Sequence, residues 1–278
     1  MQKRKTVLDL QKMKADNQKI VMTTAYDFSM AQLVDRAGVD AVLVGDSLGM
    51  VVQGYTDTLS VTVDEMIYHA RCVSRGLGQA HLVVDMPFMS YQSSVEQALQ
   101  NAGRLMKEGR AQSVKLEGGE KIAPQIEAIV SAGIPVVGHL GLTPQSVNAL
   151  GGYRLQGRST EEKERLKKDA LILEEAGAAV LVLEMVPTSL AAEISELLSI
   201  PTIGIGAGVY CDGQVLVCND LLGMNLSFTP KFLKRFASLE QDIIEAFNCY
   251  IKEVRTGVFP APENSFGEKQ PKELARLY

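Results

Sequence analysis

The feature that most constrains the fold of this 278-residue chain is a series of short apolar runs, about 20 to 45 residues apart. Continuous apolar runs of this length are typical of strands that are buried on both faces, as in a parallel sheet. A further run, Gln214–Val217, is compatible with a strand or a helix. The seven clear runs are Ile20–Thr24, Ala41–Val44, Leu82–Val84, Ser113–Leu116, Pro135–Val137, Ala179–Leu183 and Pro201–Ile205.

Helical patterns occupy most of the intervals between these runs. Several end in Ala-Gly directly before the next run, which is a common way for a helix to terminate. Seven or eight strand–helix units without a break in composition predict an α/β fold, with residues 1–278 forming one (β/α)₈ TIM barrel. An open, doubly wound sheet is the alternative. The predicted helices are Ser29–Ala37, Thr62–Leu77, Val95–Lys107, Pro124–Ala132, Glu161–Ala176 and Leu190–Leu198.

The remaining segments lie at the two ends of the chain and in two long connections. The first 20 residues predict a short amphipathic helix before the first strand. Residues 230–256 predict a terminal helical stretch, and residues 257–278, which contain Pro and Gly, predict an irregular tail. The connections 48–61 and 141–158 are long enough for loops at the rim of a barrel.

Composition excludes several classes of function. With 28 basic and 33 acidic residues, a net charge of −5 and no basic cluster, the chain is not expected to bind nucleic acid. No apolar stretch is long enough to span a membrane, and the N-terminus lacks the apolar segment of a signal peptide. The four cysteines have no metal-binding spacing and predict free thiols in a reducing compartment. A cytoplasmic protein is therefore expected.

Polar side chains follow five consecutive predicted strands at the points where the strands end. In a (β/α)₈ barrel these carboxyl ends form the rim that carries the chemistry. Carboxylates that converge there repel one another unless a cation or a proton lies between them, and their oxygens suit Mg²⁺. The sequence therefore predicts a Mg²⁺ site at this rim. The polar residues that follow the five strands are, in chain order, Asp46, Ser47, Asp85, Lys115, Glu117, His139 and Glu184.

Lys115 lies two residues from Glu117 on one strand, so both side chains face the same side. Three roles are open to it: binding a substrate carboxylate, forming a Schiff base, or pairing with Glu117. His139 is placed to donate a hydrogen bond to a substrate anion. The other two histidines, His69 in a helix and His81 at a strand start, are predicted to be structural.

A Gly-x-Gly-x-Gly segment, Gly204–Gly208, follows the seventh strand. Its spacing does not match a dinucleotide-binding fingerprint, and no helix opens immediately after it. On a barrel rim, such glycines predict a close approach of the backbone to a ligand.

Six segments, in the same order along the chain, carry a family resemblance that runs from about residue 5 to residue 266. Each is modest alone, and together they are specific. They are Val44–Met50, Asn101–Gly109, Val114–Gly119, Gly138–Gln145, Gly151–Arg154 and Ile203–Gly208, the last followed by Asp212–Val217. With these segments the chain resembles the ketopantoate hydroxymethyltransferase family.

The resemblance implies a barrel of the phosphoenolpyruvate mutase-like group and, in bacterial members, a homodecamer. It implies that 5,10-methylenetetrahydrofolate and water convert 3-methyl-2-oxobutanoate into 2-dehydropantoate, releasing tetrahydrofolate, in the first step of pantothenate biosynthesis. The reaction is expected to pass through a Mg²⁺-stabilised enolate. The small-molecule partners are thus a keto acid and a folate.

Matched position by position, the resemblance implies that Asp46 and Asp85 bind one Mg²⁺ per subunit and that Glu117 completes the metal site. Asp46, Ser47, Asp85 and Lys115 are expected to hold the keto acid, with His139 beside them. Glu184 is expected to accept the proton. The matched positions are Asp46, Ser47, Asp85, Lys115, Glu117 and Glu184.

Two positions depart from the family pattern, because Asn219 and Asn264 occupy places where histidine is expected. Both bear on folate contacts and on the tail rather than on the metal or the base. Two rival functions are also compatible with the sequence. One is a metal-free class I aldolase or lyase that uses Lys115 as a Schiff-base nucleophile, and the other is a catalytically silent barrel that serves as a scaffold.

Overall fold

The chain, described for residues 4–225 and 229–266 by a computed structural model, forms a closed barrel of eight parallel strands. Consecutive strands pair with one another, and the eighth pairs back with the first. The predicted barrel is confirmed, and the open doubly wound alternative is wrong. The strands are β1 (Ile20–Thr24), β2 (Ala41–Val44), β3 (His81–Asp85), β4 (Ser113–Glu117), β5 (Val136–Gly141), β6 (Val180–Glu184), β7 (Thr202–Ile205) and β8 (Gly213–Leu216).

Helices follow the strands and pack around the barrel. The six helices predicted between strands are present with ends within two residues of the prediction, and the N-terminal helix is confirmed. The helices are α1 (Val7–Ala15), α2 (Phe28–Ala37), α3 (Leu48–Val51), α4 (Val63–Gly76), α5 (Val95–Lys107), α6 (Ala123–Ser131), α7 (Val147–Leu150), α8 (Thr160–Glu175), α9 (Thr188–Leu197), α10 (Cys218–Leu221) and α11 (Leu239–Thr256).

Local sequence sets where three of these helices begin. At each start a hydroxyl side chain accepts a bond from the backbone three residues on, and the acidic residue there bonds back. This reciprocal capping satisfies backbone N–H groups that have no partner within the helix. The pairs are Thr6 with Asp9, Thr62 with Glu65, and Ser159 with Glu162.

The predicted terminal helical stretch 230–256 is wrong in its first part, because helix α11 begins at Leu239. Before it, the chain folds back on α10. The backbone N–H of Phe236 donates to the carbonyl of Leu221 at 2.8 Å, and that of Leu239 donates to Leu222 at 3.0 Å. These long-range bonds satisfy the backbone without a helix. They also bring residues 229–238 over the barrel.

The barrel interior is filled by side chains and closed at its amino end by α1. Leu10 and Met13 of that helix belong to the same buried cluster as Ile20, Met22 and Val215 of the first and last strands. A second cluster packs the outer face of the sheet against the surrounding helices. Because α1 covers the amino end, the carboxyl rim is the face on which the barrel holds a cavity. None of the helices described is long and apolar enough to cross a bilayer.

His81 lies at the amino end of β3, away from the rim, as the sequence predicts. It is 1% exposed; its Nδ1 lies 3.1 Å from the carbonyl oxygen of Lys5, and its Nε2 lies 2.9 Å from Ser113 Oγ. The carbonyl can only accept, so Nδ1 carries the proton and Nε2 accepts from the hydroxyl. Burial lowers the pKa of His81 to about 4.

We expect this histidine to make the fold sensitive to acid. Between about pH 6.5 and pH 4 the unfolded chain binds a proton on His81 that the folded chain does not, so stability falls as the pH falls. The loss is about 3 kcal/mol over that range. Urea unfolding of the parent and of His81→Gln at pH 7, 5 and 4 measures it. Equal acid sensitivity in both proteins would show that His81 is not the cause.

Candidate active site

Strand register brings the predicted rim residues side by side. Asp85 on β3 is the register partner of Lys115 on β4, and Glu117 on β4 is the partner of His139 on β5. Asp46 lies directly beyond β2, and its backbone N–H donates to Asp85 Oδ2 at 3.1 Å. All five side chains are buried. A parallel barrel makes these contacts because each strand ends at the same rim.

The rim encloses a cavity of about 280 Å³. Every site residue predicted from the sequence lines it, so the structure brings the whole set together. Apolar side chains that include Leu43, Val182 and Ile205 form the floor. The predicted residues on the wall are Asp46, Ser47, Asp85, Lys115, Glu117, His139 and Glu184.

A chain of alternating charges crosses the cavity. Lys115 Nζ lies 2.9 Å from Asp85 Oδ1 and 3.8 Å from Glu117 Oε1. His139 Nδ1 lies 3.2 Å from the same Glu117 oxygen, and His139 Nε2 lies 3.3 Å from Glu184 Oε2. The imidazole of His139 therefore lies between Glu184 on one side and Glu117 on the other.

The two basic groups hold their protons in this setting. Burial opposes the charge on Lys115, but Asp85, Glu117 and Asp46 outweigh it and raise the pKa of the lysine. Burial and Lys115 likewise oppose the charge on His139, yet contacts with Glu117 and Glu184 raise its pKa to about 9. An ammonium held in this way is not a free amine, so the geometry favours Lys115 as an anion-binding group.

The three buried carboxylates do not share one electrostatic environment. Burial and then the Asp85 and Glu117 charges hold the pKa of Asp46 well above its usual value. Burial also raises the pKa of Asp85, although Lys115 opposes the shift. For Glu117, His139 and Lys115 outweigh burial and lower the pKa. Burial is thus the main cause of the raised pKa at both aspartates.

The observation on which a divalent cation fits is a buried carboxylate oxygen without a hydrogen-bond partner, Asp85 Oδ1. Asp85 Oδ1 contacts Lys115 as an ion pair but receives no well-aligned hydrogen bond. Both oxygens of Glu117 are engaged, by His139 Nδ1 at 3.2 Å and by the backbone N–H of Gln145 at 3.0 Å. In residues 4–225 and 229–266, no group of three or more His, Cys, Asp or Glu side chains is placed to hold a metal together.

Two further contacts shape the walls. Ser47 Oγ lies 2.8 Å from the hydroxyl of Tyr26. Opposite, the backbone N–H of Leu142 donates to the carbonyl oxygen of Glu184 at 2.8 Å. Gly141 adopts φ +94°, and a Cβ there would collide with that carbonyl oxygen. Glycine at this position therefore allows β5 and β6 to approach closely where Glu184 enters the cavity.

The glycines of the Gly-x-Gly-x-Gly segment lie close to protein side chains. A Cβ on Gly206 would meet the ring of Phe232 and the side chain of Met185, and a Cβ on Gly208 would meet Thr188. Both glycines have positive φ. These two glycines thus make room for protein side chains, and a close approach of a ligand to this backbone stays a prediction.

Several residues of the site are not identified by the sequence reasoning. Gln145 and Tyr91 form a buried hydrogen-bond network beneath the carboxylates. Gln145 is the last residue of the Gly138–Gln145 segment, one of the six that carry the family resemblance, so the sequence marks its position. No motif in the sequence marks Tyr91. Phe232 lines the cavity from the folded-back segment 229–238. Asn219 does not line the cavity, whereas its neighbour Asp220 does.

Comparison with known proteins gives a consistent picture. Over residues 4–262 the chain matches the family described as ketopantoate hydroxymethyltransferase. It is 58% identical over 266 residues to the 3-methyl-2-oxobutanoate hydroxymethyltransferase of Syntrophotalea carbinolica, covering 96% of this chain and 100% of that protein. It is 56% identical to the enzyme of that name from Enterococcus faecalis, covering 94% and 95% of the two chains.

Solved structures share the fold at low identity. A 2,3-dimethylmalate lyase of the PEP mutase/isocitrate lyase superfamily aligns with a TM-score of 0.59 and 18% identity, covering 97% of this chain and 93% of that one. A phosphoenolpyruvate phosphomutase from Streptomyces platensis subsp. rosaceus aligns with a TM-score of 0.62 and 13% identity, covering 91% and 88%. These likenesses show that the chain shares its barrel fold with those proteins.

Proposed function

The chain belongs to the ketopantoate hydroxymethyltransferase family, and we propose on that premise how its own residues carry out the transfer. The substrates proposed are 3-methyl-2-oxobutanoate and 5,10-methylenetetrahydrofolate, and the product is 2-dehydropantoate, a precursor for pantothenate. The observation that carries the proposal is the convergence of seven rim residues on one cavity. A cytoplasmic location stays a prediction, and the four free cysteines are compatible with it.

Asp46 and Asp85 would hold one Mg²⁺ per subunit, with Glu117 in support. Both side chains line the cavity, Asp85 Oδ1 receives no well-aligned hydrogen bond, and carboxylate oxygens are the ligands that Mg²⁺ prefers. When bound, Mg²⁺ would stabilise the negative charge that develops on the oxygens of the keto acid. Glu117 would act mainly through the groups that it orients, because both of its oxygens are already engaged.

Lys115 and Ser47 would bind and orient the keto acid. The buried ammonium of Lys115 suits the substrate carboxylate, and its ion pair with Asp85 fixes its position. The hydroxyl of Ser47 is held by Tyr26 and faces the same cavity. His139 would sit beside the substrate, with Nε2 at ion-pair distance, 3.3 Å, from Glu184 Oε2. The Schiff-base alternative has no support in the relatives or in the geometry.

Glu184 would remove the proton from C3 of the keto acid. Its carboxylate is the more open end of the charge chain and faces the acidic residues across the barrel. As the C3–H bond breaks, the proton passes to a Glu184 oxygen. C3 then bonds to the one-carbon unit as the first of that unit's two carbon–nitrogen bonds to the folate breaks. The second carbon–nitrogen bond breaks as water supplies the hydroxyl oxygen of the product, and the proton from C3 and one from water end on the two folate nitrogens.

Deuterium exchange at C3 tests the first half of this scheme without folate. We expect the protein with Mg²⁺ to exchange the C3 proton of 3-methyl-2-oxobutanoate with D₂O, and chelation of the metal to stop it. Proton NMR follows the signal directly. Exchange that survives chelation, with borohydride trapping at Lys115, would favour the aldolase. The absence of exchange with Mg²⁺ present would favour the silent barrel.

Tyr153 is proposed to stack on the pterin ring of the folate. It lies in the long connection after β5, lines the cavity and is 41% exposed, with its hydroxyl 3.6 Å from Met50 Sδ. Because ring stacking contributes about 1 kcal/mol, Tyr153→Ala should raise the KM for the folate about fivefold. The KM for the keto acid should hardly change. An equal rise in both KM values would contradict the assignment.

Self-association, with a decamer expected from the resemblance, is proposed through α11. This helix buries no residue against the rest of the chain. An apolar stripe runs along it at helical spacing, and stripes of this kind mark association surfaces. The members of the stripe are Ile243, Ile244, Phe247, Tyr250, Ile251 and Val254.

A charge in the middle of that stripe should disrupt the assembly. We expect Phe247→Glu to sediment as a smaller species than the parent protein, because burying an unpaired carboxylate in an apolar interface is costly. Glu245→Lys, on another face of α11, is the matched control. Analytical ultracentrifugation distinguishes them. A parent that sediments as a monomer would rule out this role for α11.

A further inference from the structure

The carboxamide of Gln145 uses its full hydrogen-bonding capacity beneath the site. Nε2 donates to Asp46 Oδ2 at 2.8 Å and to the carbonyl oxygen of Met86 at 2.9 Å. Oε1 accepts from the hydroxyl of Tyr91 at 2.8 Å and from Gln92 Nε2 at 3.0 Å. The residue is 5% exposed, so water does not compete for these bonds.

These partners allow only one orientation of the amide. A flipped amide would place Oε1 against the Asp46 carboxylate and the Met86 carbonyl oxygen, which cannot donate. It would also bring two NH₂ donors together, from Gln145 and Gln92. The NH₂ group therefore faces Asp46 in the stable arrangement, and it occupies Oδ2 of that carboxylate.

The same residue reaches a second carboxylate through its backbone. The N–H of Gln145 donates to Glu117 Oε2 at 3.0 Å. Tyr91, which donates to Gln145 Oε1, also accepts from the backbone N–H of Glu117 at 3.0 Å. Gln145, a buried residue that follows β5 in the chain, thus donates hydrogen bonds both to Asp46, next to β2, and to Glu117 on β4.

We propose that Gln145 is a positioning residue that sets the orientation of the Asp46 and Glu117 carboxylates. By occupying Oδ2 of Asp46 it leaves Oδ1 for a ligand, and by occupying Oε2 of Glu117 it leaves Oε1 for His139. Supporting hydrogen bonds of this kind fix the direction in which a carboxylate presents its oxygens to a cation. The inference rests on the proposed function, because it concerns the same cavity.

Gln145→Met tests the proposal, because it keeps the length of the side chain and the backbone bond to Glu117 while removing the Nε2 donor to Asp46 Oδ2. Loss of such a supporting partner typically weakens metal binding about 10- to 100-fold. The probe is Mn²⁺, whose binding is measured by electron paramagnetic resonance with and without 3-methyl-2-oxobutanoate. We expect a weaker Mn²⁺ affinity in that range and a raised KM for the keto acid.

Gln125→Met is the matched control. Gln125 is also a buried glutamine, and its Nε2 donates to the carbonyl oxygen of Tyr91 at 3.4 Å, but it does not contact Asp46. It should bind Mn²⁺ like the parent protein. If the effect of Gln145→Met were a general loss of packing, both variants would weaken binding together, which would overturn the proposal.

Tyr91→Phe provides a second route that does not depend on the folding of Gln145→Met. It keeps the buried ring and removes only the hydroxyl between Gln145 and Glu117, so we expect Mn²⁺ binding to weaken severalfold. Parent-like Mn²⁺ affinity in folded Gln145→Met, or in Tyr91→Phe if the former does not fold, would overturn the inference. Product formation by the parent enzyme is assayed in parallel, and its absence would count against the proposed function instead.

Discussion

Replacing Glu184 by glutamine is expected to reduce deuterium exchange at C3 of 3-methyl-2-oxobutanoate by about 10²- to 10⁴-fold. The amide has nearly the same shape as the carboxylate but cannot take the proton. Binding of the keto acid should remain close to that of the parent, because Lys115, Asp46 and Asp85 are left in place. Exchange is followed by NMR and binding by calorimetry.

Glu193→Gln is the control for this variant. Glu193 lies on the outer helix α9, where it pairs with Lys167 at the surface. It carries the same chemical change without reaching the cavity, and surface ion pairs of this kind contribute little. A Glu184→Gln protein that loses keto-acid binding together with exchange would contradict the separation of roles between base and binding groups.

Asp85→Asn is expected to weaken metal binding and to destabilise the fold. The carboxylate is the nearest anion to the buried Lys115 ammonium, at 2.9 Å, and breaking such a buried pair costs about 3 to 5 kcal/mol. The half-saturating Mg²⁺ concentration for activity should rise at least as much as the 10- to 100-fold seen when a supporting partner is lost. Urea unfolding and Mg²⁺ titration of activity measure the two effects.

Excess Mg²⁺ should restore part of the activity of Asp85→Asn if the aspartate acts through the cation. Asp64→Asn serves as the control, since Asp64 pairs with Arg104 at the exposed surface. That variant should retain the stability and Mg²⁺ response of the parent. An Asp85→Asn protein that is inactive at every Mg²⁺ concentration, yet binds Mn²⁺ normally, would show that Asp85 does not bind the metal.

The convergence of the rim residues on one cavity was predictable, because a parallel barrel converts order along the chain into proximity in space. Asp85, Lys115, Glu117 and His139 each come at the end of an apolar run, and the closed sheet brings all such ends to one rim. The prediction needs only the strand positions and the topology. It does not need any contact between side chains to be known.

The network below the carboxylates was not predictable in the same way. Gln145 and Tyr91 lie in connections rather than at strand ends, and nothing in their spacing indicates that they meet. The segment 229–238 has a helical composition, but the backbone of Phe236 and Leu239 finds partners on α10 instead. Tertiary hydrogen bonds therefore override local preference at these places.

The sequence alone indicated a (β/α)₈ barrel, with seven clear strands and an eighth left open, and the rim at which the polar residues gather. These two features follow from local patterns: apolar runs that must be buried, and polar residues that follow them. The family came instead from the resemblance carried by six motif segments. The tertiary structure alone decided which oxygen of each carboxylate is occupied, that Lys115 is held as an ammonium, and that Gly206 accommodates Phe232. Such features depend on distances between residues far apart in the chain, which only the closed barrel fixes.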